Sequence, residues 1–386
     1  MKSENEKGMK SGRLVSLDAL RGLIMVLMAV DHANLFVAQV HPVGEFWGIA
    51  LPRYESVLAF ITRFVTHLCA PGFFMLMGIG MVFFAHSRRK QGWTERRIFK
   101  HFLIRGLILI ALQFNVENPA WLLGPDYDWK PPGGGEEVWI HFGVLFALGV
   151  GLILGALALR LHTALLAALC LACVLCTQVF IPGPDQSGHL YSVLSRVLLI
   201  PGRTNIVQVF YPVTPWLGVV LFGIVLGRLF ARNRTSAFRI SLFSGGIFLL
   251  AFIAIRLSGG FGNIHSPESG RLVDMLKVTK YPPSLSFLLM TLGAGLILLW
   301  AFSKMRLGFS KSGNPLLVYG RTALFFYLAH LYIYAVMGLM FAGRGGVGIV
   351  WMYAFWLLGL LILYPLCKWY GHFKRGKSSD SIWRFF

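Results

Sequence analysis

The sequence predicts an all-α fold: a polytopic bundle of about ten transmembrane helices with both termini on the cytoplasmic side. Three observations predict it. Of 386 residues, 56% are hydrophobic and only 13% charged, a balance unlike that of a water-soluble domain. Apolar runs of about 18 or more residues recur from end to end. With the N-terminus inside, 23 of the 36 Lys and Arg fall on inner segments, 8 on outer ones and five within the runs, which favours N-in and C-in.

Each element follows from its own stretch. Span one, Leu14–Ala38, is too long for a signal-peptide core and is followed by no small-residue cleavage site, so it reads as retained. Span two, Val57–Ala85, leads into the basic run Arg88-Arg89-Lys90 with Arg96, Arg97 and Lys100; His86 and His101 flank that run and suit an interface. Span three, Phe102–Phe114, is short and has room to extend to either side. Asn115–Glu137 reads as a long outer loop, acidic through Glu117, Asp126, Asp128, Glu136 and Glu137 and turn-rich at Pro131-Pro-Gly-Gly-Gly135. Span four, Val138–Leu159, begins with His141. Span five, Thr163–Ile181, carries Cys170, Cys173 and Cys176, which read as small buried thiols on a lipid helix rather than a metal or redox centre. The amphipathic stretch Leu190–Ile200 suits an eleventh segment of re-entrant or interfacial kind. Spans six to ten are Val209–Leu229, Ile240–Leu257, Pro283–Phe302, Leu316–Phe341 and Val347–Trp369, with another long outer loop over 258–282. No internal repeat is evident, so the inverted-repeat signature of many transporters lacks support.

The net charge of +20 does not point to nucleic acid, because the bases are scattered between spans and no recognition motif accompanies them. The informative charges lie inside the spans. Ionisable groups at that depth are costly unless they face protein, water or a partner. Span one carries Asp18, Arg21, Asp31 and His32; span two carries Arg63 and His67; span nine carries Arg321 and His330. Counting along the helices puts Arg21 and Arg321 in the cytoplasmic half and His32, His67 and His330 in the middle and outer half. Guanidinium groups below and imidazoles above suit a long ligand with a phosphate-bearing head inside and a reacting end near the outer face. Each group also has a structural alternative. Arg21 is spaced to pair with Asp18, and His67 and His330 can serve as packing residues. Asp31 can bias the tautomer of His32, although sequence neighbours on a helix point about 100° apart. No metal-ligand or phosphate-cradling motif is present.

Several segments together resemble a known group. Ser16-Leu-Asp18-Ala-Leu-Arg21-Gly-Leu, with His32 eleven residues after Arg21, resembles the Arg-x10-His signature of integral-membrane sugar acyltransferases. The closer similarity is to bacterial relatives of the heparan-alpha-glucosaminide N-acetyltransferase catalytic domain. It rests also on Thr66-His67-Leu-Cys-Ala-Pro-Gly-Phe73, Tyr211-Pro-Val-Thr-Pro-Trp216, Lys280-Tyr-Pro-Pro-Ser-Leu-Ser-Phe287 and Tyr319-Gly-Arg321 through His330. The resemblance implies a bacterial inner-membrane protein with basic cytoplasmic tails at 1–13 and 371–386 around an acyltransferase-like domain at 14–370. It implies transfer of an acetyl or other acyl group from cytosolic acyl-CoA to an extracytoplasmic sugar or glycan, without a metal; a homodimer is compatible with it. Arg21, with Arg321, would hold the donor, and His32 would act as catalyst with Asp31, His67 or His330 assisting. In the heparan enzyme the active histidine lies between spans one and two, where this chain has His41. Two other classes stay open: a transporter or lipid-handling protein whose charges line a path, and a structural membrane subunit.

Overall fold

The computed structural model describes residues 14–40, 44–125, 131–133, 140–189, 191–305, 313–343, 345–377, 381 and 383. Among them nine helices are long and apolar enough to cross a membrane, and Val144–Ala158 is a shorter apolar helix. These ten segments correspond to the ten expected spans. In chain order they are α1 (Val15–Ala38), α2 and α3 (Val57–Thr66 and Cys69–Lys90, one span), α4 (Glu95–Trp121), α5 (Val144–Ala158), α6 (Thr163–Phe180), α8 (Val213–Arg232), α9 (Arg234–Ser258), α11 (Leu285–Ser303), α12 and α13 (Pro315–Arg321 and Ala323–Phe341, one span) and α14 (Ile349–Arg375). The short helices α7 (Val193–Leu198) and α10 (Leu272–Leu276) lie in the connections.

The bundle is sorted by burial. The α1, α2–α3 and α8 spans are 67%, 72% and 67% buried, whereas α6 and α14 are 11% and 17% buried and form the rim. Leu171 on α6, Leu250 on α9 and Leu361 on α14 are exposed, as lipid-facing side chains should be. At the centre, α1 and α12 touch backbone to backbone. A Cβ on Gly22 would overlap the Leu316 carbonyl, and one on Gly320 would overlap that of Asp18. This contact brings Arg321 down onto the Asp18–Arg21 turn.

Local chemistry explains where the spans depart from straight helices. Pro71 has no N–H to give the His67 carbonyl, and the second span breaks at His67 and Leu68. The ninth breaks at Thr322. Both α1 and α4 contain a π-helical turn, at Asn34–Ala38 and Gln113–Glu117.

The structure corrects where the acidic loop and the fourth span begin, and decides the extents of span three and of the stretch Leu190–Ile200. Helix α4 runs well beyond Phe102–Phe114, so Glu117 is a buried helix residue and not part of an acidic loop. Asn118-Pro119 looks like a breaker, yet Pro fits the first turn of the final helical segment. The fourth span starts at Val144, because Ile140–Phe142 forms a strand (β1). That strand pairs parallel with β3 (Val207–Val209), which pairs antiparallel with β2 (Gly202–Arg203). Finally, Leu190–Ile200 contributes only the six-residue α7, too short to cross. Buried Arg196 folds this loop by donating to the carbonyls of His189 and Pro201, and Arg256 likewise ties together five acceptors of residues 263–277. The loops so ordered cover the end of the bundle opposite the start of α1.

Candidate active site

Two chambers open into the bundle. The first, of about 1170 Å³, lies at the end where α1 begins; it will be termed the basic chamber. Among the described residues its wall carries Arg21, Arg88, Lys90, Arg105, Arg234, Arg321 and Lys374 against the single carboxylate of Asp18. Arg88 and Lys90 end α3, Arg234 starts α9 and Lys374 ends α14, so these four mark the rim, while Arg21, Arg105 and Arg321 lie deeper. Arg21 Nη1 donates to Asp18 Oδ1 at 3.2 Å and to the Gly320 carbonyl at 3.2 Å; Arg321 Nε lies 3.4 Å from Asp18 Oδ2. The pairing expected as structural glue is therefore present, but both guanidiniums remain partly open to the chamber, at 27% and 29% exposure. Sequence reasoning assigned no role to Arg105, whose Nε is buried without a hydrogen-bond partner. Its only signal was an isolated base inside an apolar run.

The second chamber, of about 480 Å³, lies beneath the folded loops. It is lined by Asp31, His32, Thr66, Glu117, Lys280 and the aromatic side chains Trp121, Phe210, Tyr211 and Tyr281, among others. The sheet register aligns His141, Gln208 and Arg203 as one cross-strand row, and all three face this chamber's lining. Surrounding protein pushes the pKa of His141 down to about 4 although the ring keeps some exposure to the chamber. Phe73, Val144 and Tyr327 line both chambers and form the septum between them.

His32 and His330, 298 positions apart in the chain, meet at the loop-side chamber. His32 Nδ1 lies 2.6 Å from His330 Nε2, and His330 Nδ1 lies 3.0 Å from the Phe326 carbonyl. A carbonyl only accepts, so His330 Nδ1 carries the proton. With both rings neutral, His330 Nε2 then accepts from His32 Nδ1–H, and His32 Nε2 is left as a basic lone pair. Trp121 packs edge-on to His32 at 5.2 Å. His330 is fully buried and does not line the chamber, a position suited to orienting its neighbour.

Asp31 and His67 belong to a different cluster. Arg63 Nη1 donates to both oxygens of Asp31 at 2.7 and 2.8 Å, and its Nε and Nη2 grip Glu45 at 2.9 and 2.6 Å. Thr66 Oγ1 adds a bond to Asp31 at 3.0 Å. His67 Nε2 is 2.9 Å from Glu45 Oε1, close enough for charge attraction but not aligned as a hydrogen bond. Burial alone would raise the Glu45 carboxyl; Arg63 and then His67 outweigh it and hold the group well below the usual carboxylate range. Thus Asp31 contacts Arg63 and the chamber, while His67 is engaged with Glu45 and the edge of Phe287 and does not line the chamber. His41 lies outside the described residues.

Glu117 is a further group that sequence reasoning misplaced. It is 1% exposed, lines the loop-side chamber and accepts from Trp121 Nε1 at 3.1 Å. The five cysteines are free, and among the described residues no group of three or more His, Cys, Asp or Glu is placed to hold a metal ion.

No curated protein matches the chain. A family model described as heparan-alpha-glucosaminide N-acetyltransferase, catalytic, matches residues 13–256. Arg21, Asp31, His32 and His67 fall within that segment, and Arg321 and His330 follow it. With well over half its length matched, the chain belongs to the heparan-alpha-glucosaminide N-acetyltransferase catalytic-domain family, a family of membrane acyltransferases.

Proposed function

We propose that the protein transfers an acetyl or other acyl group from cytosolic acyl-CoA to an amine or hydroxyl of an extracytoplasmic sugar. One observation carries this reading: a cation-rich chamber and an aromatic, histidine-bearing chamber meet back to back at Phe73, Val144 and Tyr327. The charge bias of the connections supports a basic chamber that faces the cytoplasm, where acyl-CoA is made.

In this account Arg21, Arg105 and Arg321 hold the donor's phosphates, assisted by the rim bases, since a guanidinium fork matches phosphate oxygens. The thioester end reaches the septum. The acceptor lies among the aromatic side chains of the other chamber. Its N–H or O–H gives a proton to His32 Nε2 as its nitrogen or oxygen adds to the thioester carbonyl. The tetrahedral adduct collapses, the C–S bond breaks, and the thiolate leaves as CoA after taking the proton from His32. His330 keeps His32 in the productive tautomer throughout and stabilises the imidazolium.

The test is acyl-CoA consumption by purified protein with amino sugars, neutral glycans and lipid-linked sugars. His32→Ala should lower the rate by about 10²–10⁴-fold while sparing CoA binding. His32→Gln should be nearly as poor, because an amide cannot take the proton. Full activity in His32→Ala would assign the base elsewhere. No consumption by the wild type with any acceptor would overturn the reading and favour a transporter.

A further inference from the structure

Lys280 and Arg203 are the Lys and Arg side chains in the described lining of the loop-side chamber. Lys280 is 5% exposed and lines the chamber wall. Arg63 is held by Asp31 and Glu45, Arg196 by carbonyls and Arg256 by a ring of five acceptors, whereas Arg203, 8% exposed, shares the chamber lining with Lys280 from the small sheet. Among the described residues Lys280 has no ion pair, and its ammonium has only the face of Tyr281, 5.0 Å away. A cation–π contact of this kind offsets part of the cost of burying an ammonium but satisfies none of its three donors.

The backbone has been folded to put it there. Glu45 O accepts from both Lys280 N and Tyr281 N, and Trp47 N donates back to the Tyr281 carbonyl. Phe46 stacks on the Tyr281 ring at 4.6 Å. Glu45, through its own side chain, is gripped by Arg63. Lys280 is thus anchored, through its main chain, to the cluster of Glu45, Arg63 and Asp31, while its side chain lines the chamber.

We propose that Lys280 is an anion seat of the loop-side chamber, taking an anionic oxygen of the reacting complex. The inference rests on the acyl-transfer reading for one of its two sources. Addition of the nucleophile turns the thioester carbonyl oxygen into an oxyanion, which needs a donor where the bond forms. The other source is a carboxylate, phosphate or sulfate carried by the acceptor itself. The ammonium serves either by charge and hydrogen bond, and Tyr281 keeps it from folding back.

Lys280→Met retains the length of the stem and leaves the main-chain bonds to Glu45 in place; Lys280→Arg retains the charge. Two measurements separate the sources. The first is ligand-observed NMR with glucuronate and with inorganic sulfate, without any CoA. If the seat takes an acidic acceptor group, wild type binds these probes and Lys280→Met binds them about 10- to 100-fold more weakly, with partial recovery in Lys280→Arg. The second is turnover with glucosamine, a neutral or cationic acceptor. If the seat takes the oxyanion, kcat falls about 10²-fold in Lys280→Met with KM little changed. Either result supports the proposal and names the source. Unchanged probe binding together with unchanged kcat overturns it. Should the wild type consume no acyl-CoA at all, the acyl-transfer reading fails by itself. The seat is then judged on NMR alone: loss of binding in Lys280→Met sustains it, and absence of a difference overturns it.

Discussion

Helix α1 carries two ion clusters, and they differ in kind. At one end, Asp18 is shared by Arg21 and Arg321 at 3.2 and 3.4 Å, and both arginines are more than a quarter exposed to the basic chamber. Thirteen residues along, Asp31 meets Arg63 at 2.7 Å, and Arg63, 1% exposed, grips Glu45 at 2.6 Å. The first cluster is loose, cation-rich and open; the second is tight, nearly balanced and closed. The lesson concerns what a membrane-buried charge is for. A guanidinium whose donors are consumed by carboxylates joins helices, here α1, α2 and the loop between them. One that shares a carboxylate and stays more than a quarter exposed can be reached by a ligand in the chamber.

The contrast predicts opposite consequences for the same kind of substitution. Arg63→Ala leaves Asp31 and Glu45 buried without their common partner and should cost about 3–5 kcal/mol, read as a large fall in Tm or loss of folded protein from detergent extracts. A Tm near the wild-type value would mean that the closed cluster does not hold the helices. Arg21→Ala and Arg321→Ala should each change stability by about 1 kcal/mol or less, since part-exposed pairs contribute little. Their effect should appear in acetyl-CoA affinity, weakened about 10-fold by calorimetry. Lys at either position should recover only part of it, lacking the planar fork. If CoA affinity is unchanged in both Ala variants, the open cluster is structural too, and the comparison collapses.

The levels of these clusters were legible in the sequence because helical rise converts position into depth. Counting alone put Arg21 and Arg321 in one layer, and the fold joins them through Asp18. Hydropathy likewise identified ten apolar segments, since each is decided by its own side chains. Partnerships across the chain were not legible. His32 and His330 are 298 positions apart, and which face of α13 turns to α1 is decided by packing at Gly22, Leu316 and Gly320. Glu45 sits in a loop without helical periodicity, so nothing in the local pattern points it at Arg63. Glu117 was misread for a different reason: the acidic residues around it and the turn-rich Pro131–Gly135 run that follows are ordinary loop signals. They are overridden by tertiary contacts, including Gln113 Oε1 accepting from the N–H groups of Leu145 and Phe146 at the start of α5. The small sheet escaped notice because its three strands have at most three residues each and border apolar runs.

The central claim is that donor and acceptor enter from opposite faces and react across the wall of Phe73, Val144 and Tyr327. It is tested most directly in sealed proteoliposomes of known protein orientation, with acetyl-CoA added on one side and an acceptor that the protein acylates in detergent trapped on the other. Acylated acceptor should accumulate in the lumen of vesicles whose protein presents the basic chamber outward, while CoA appears outside. Product formed only when donor and acceptor share one side would contradict the account.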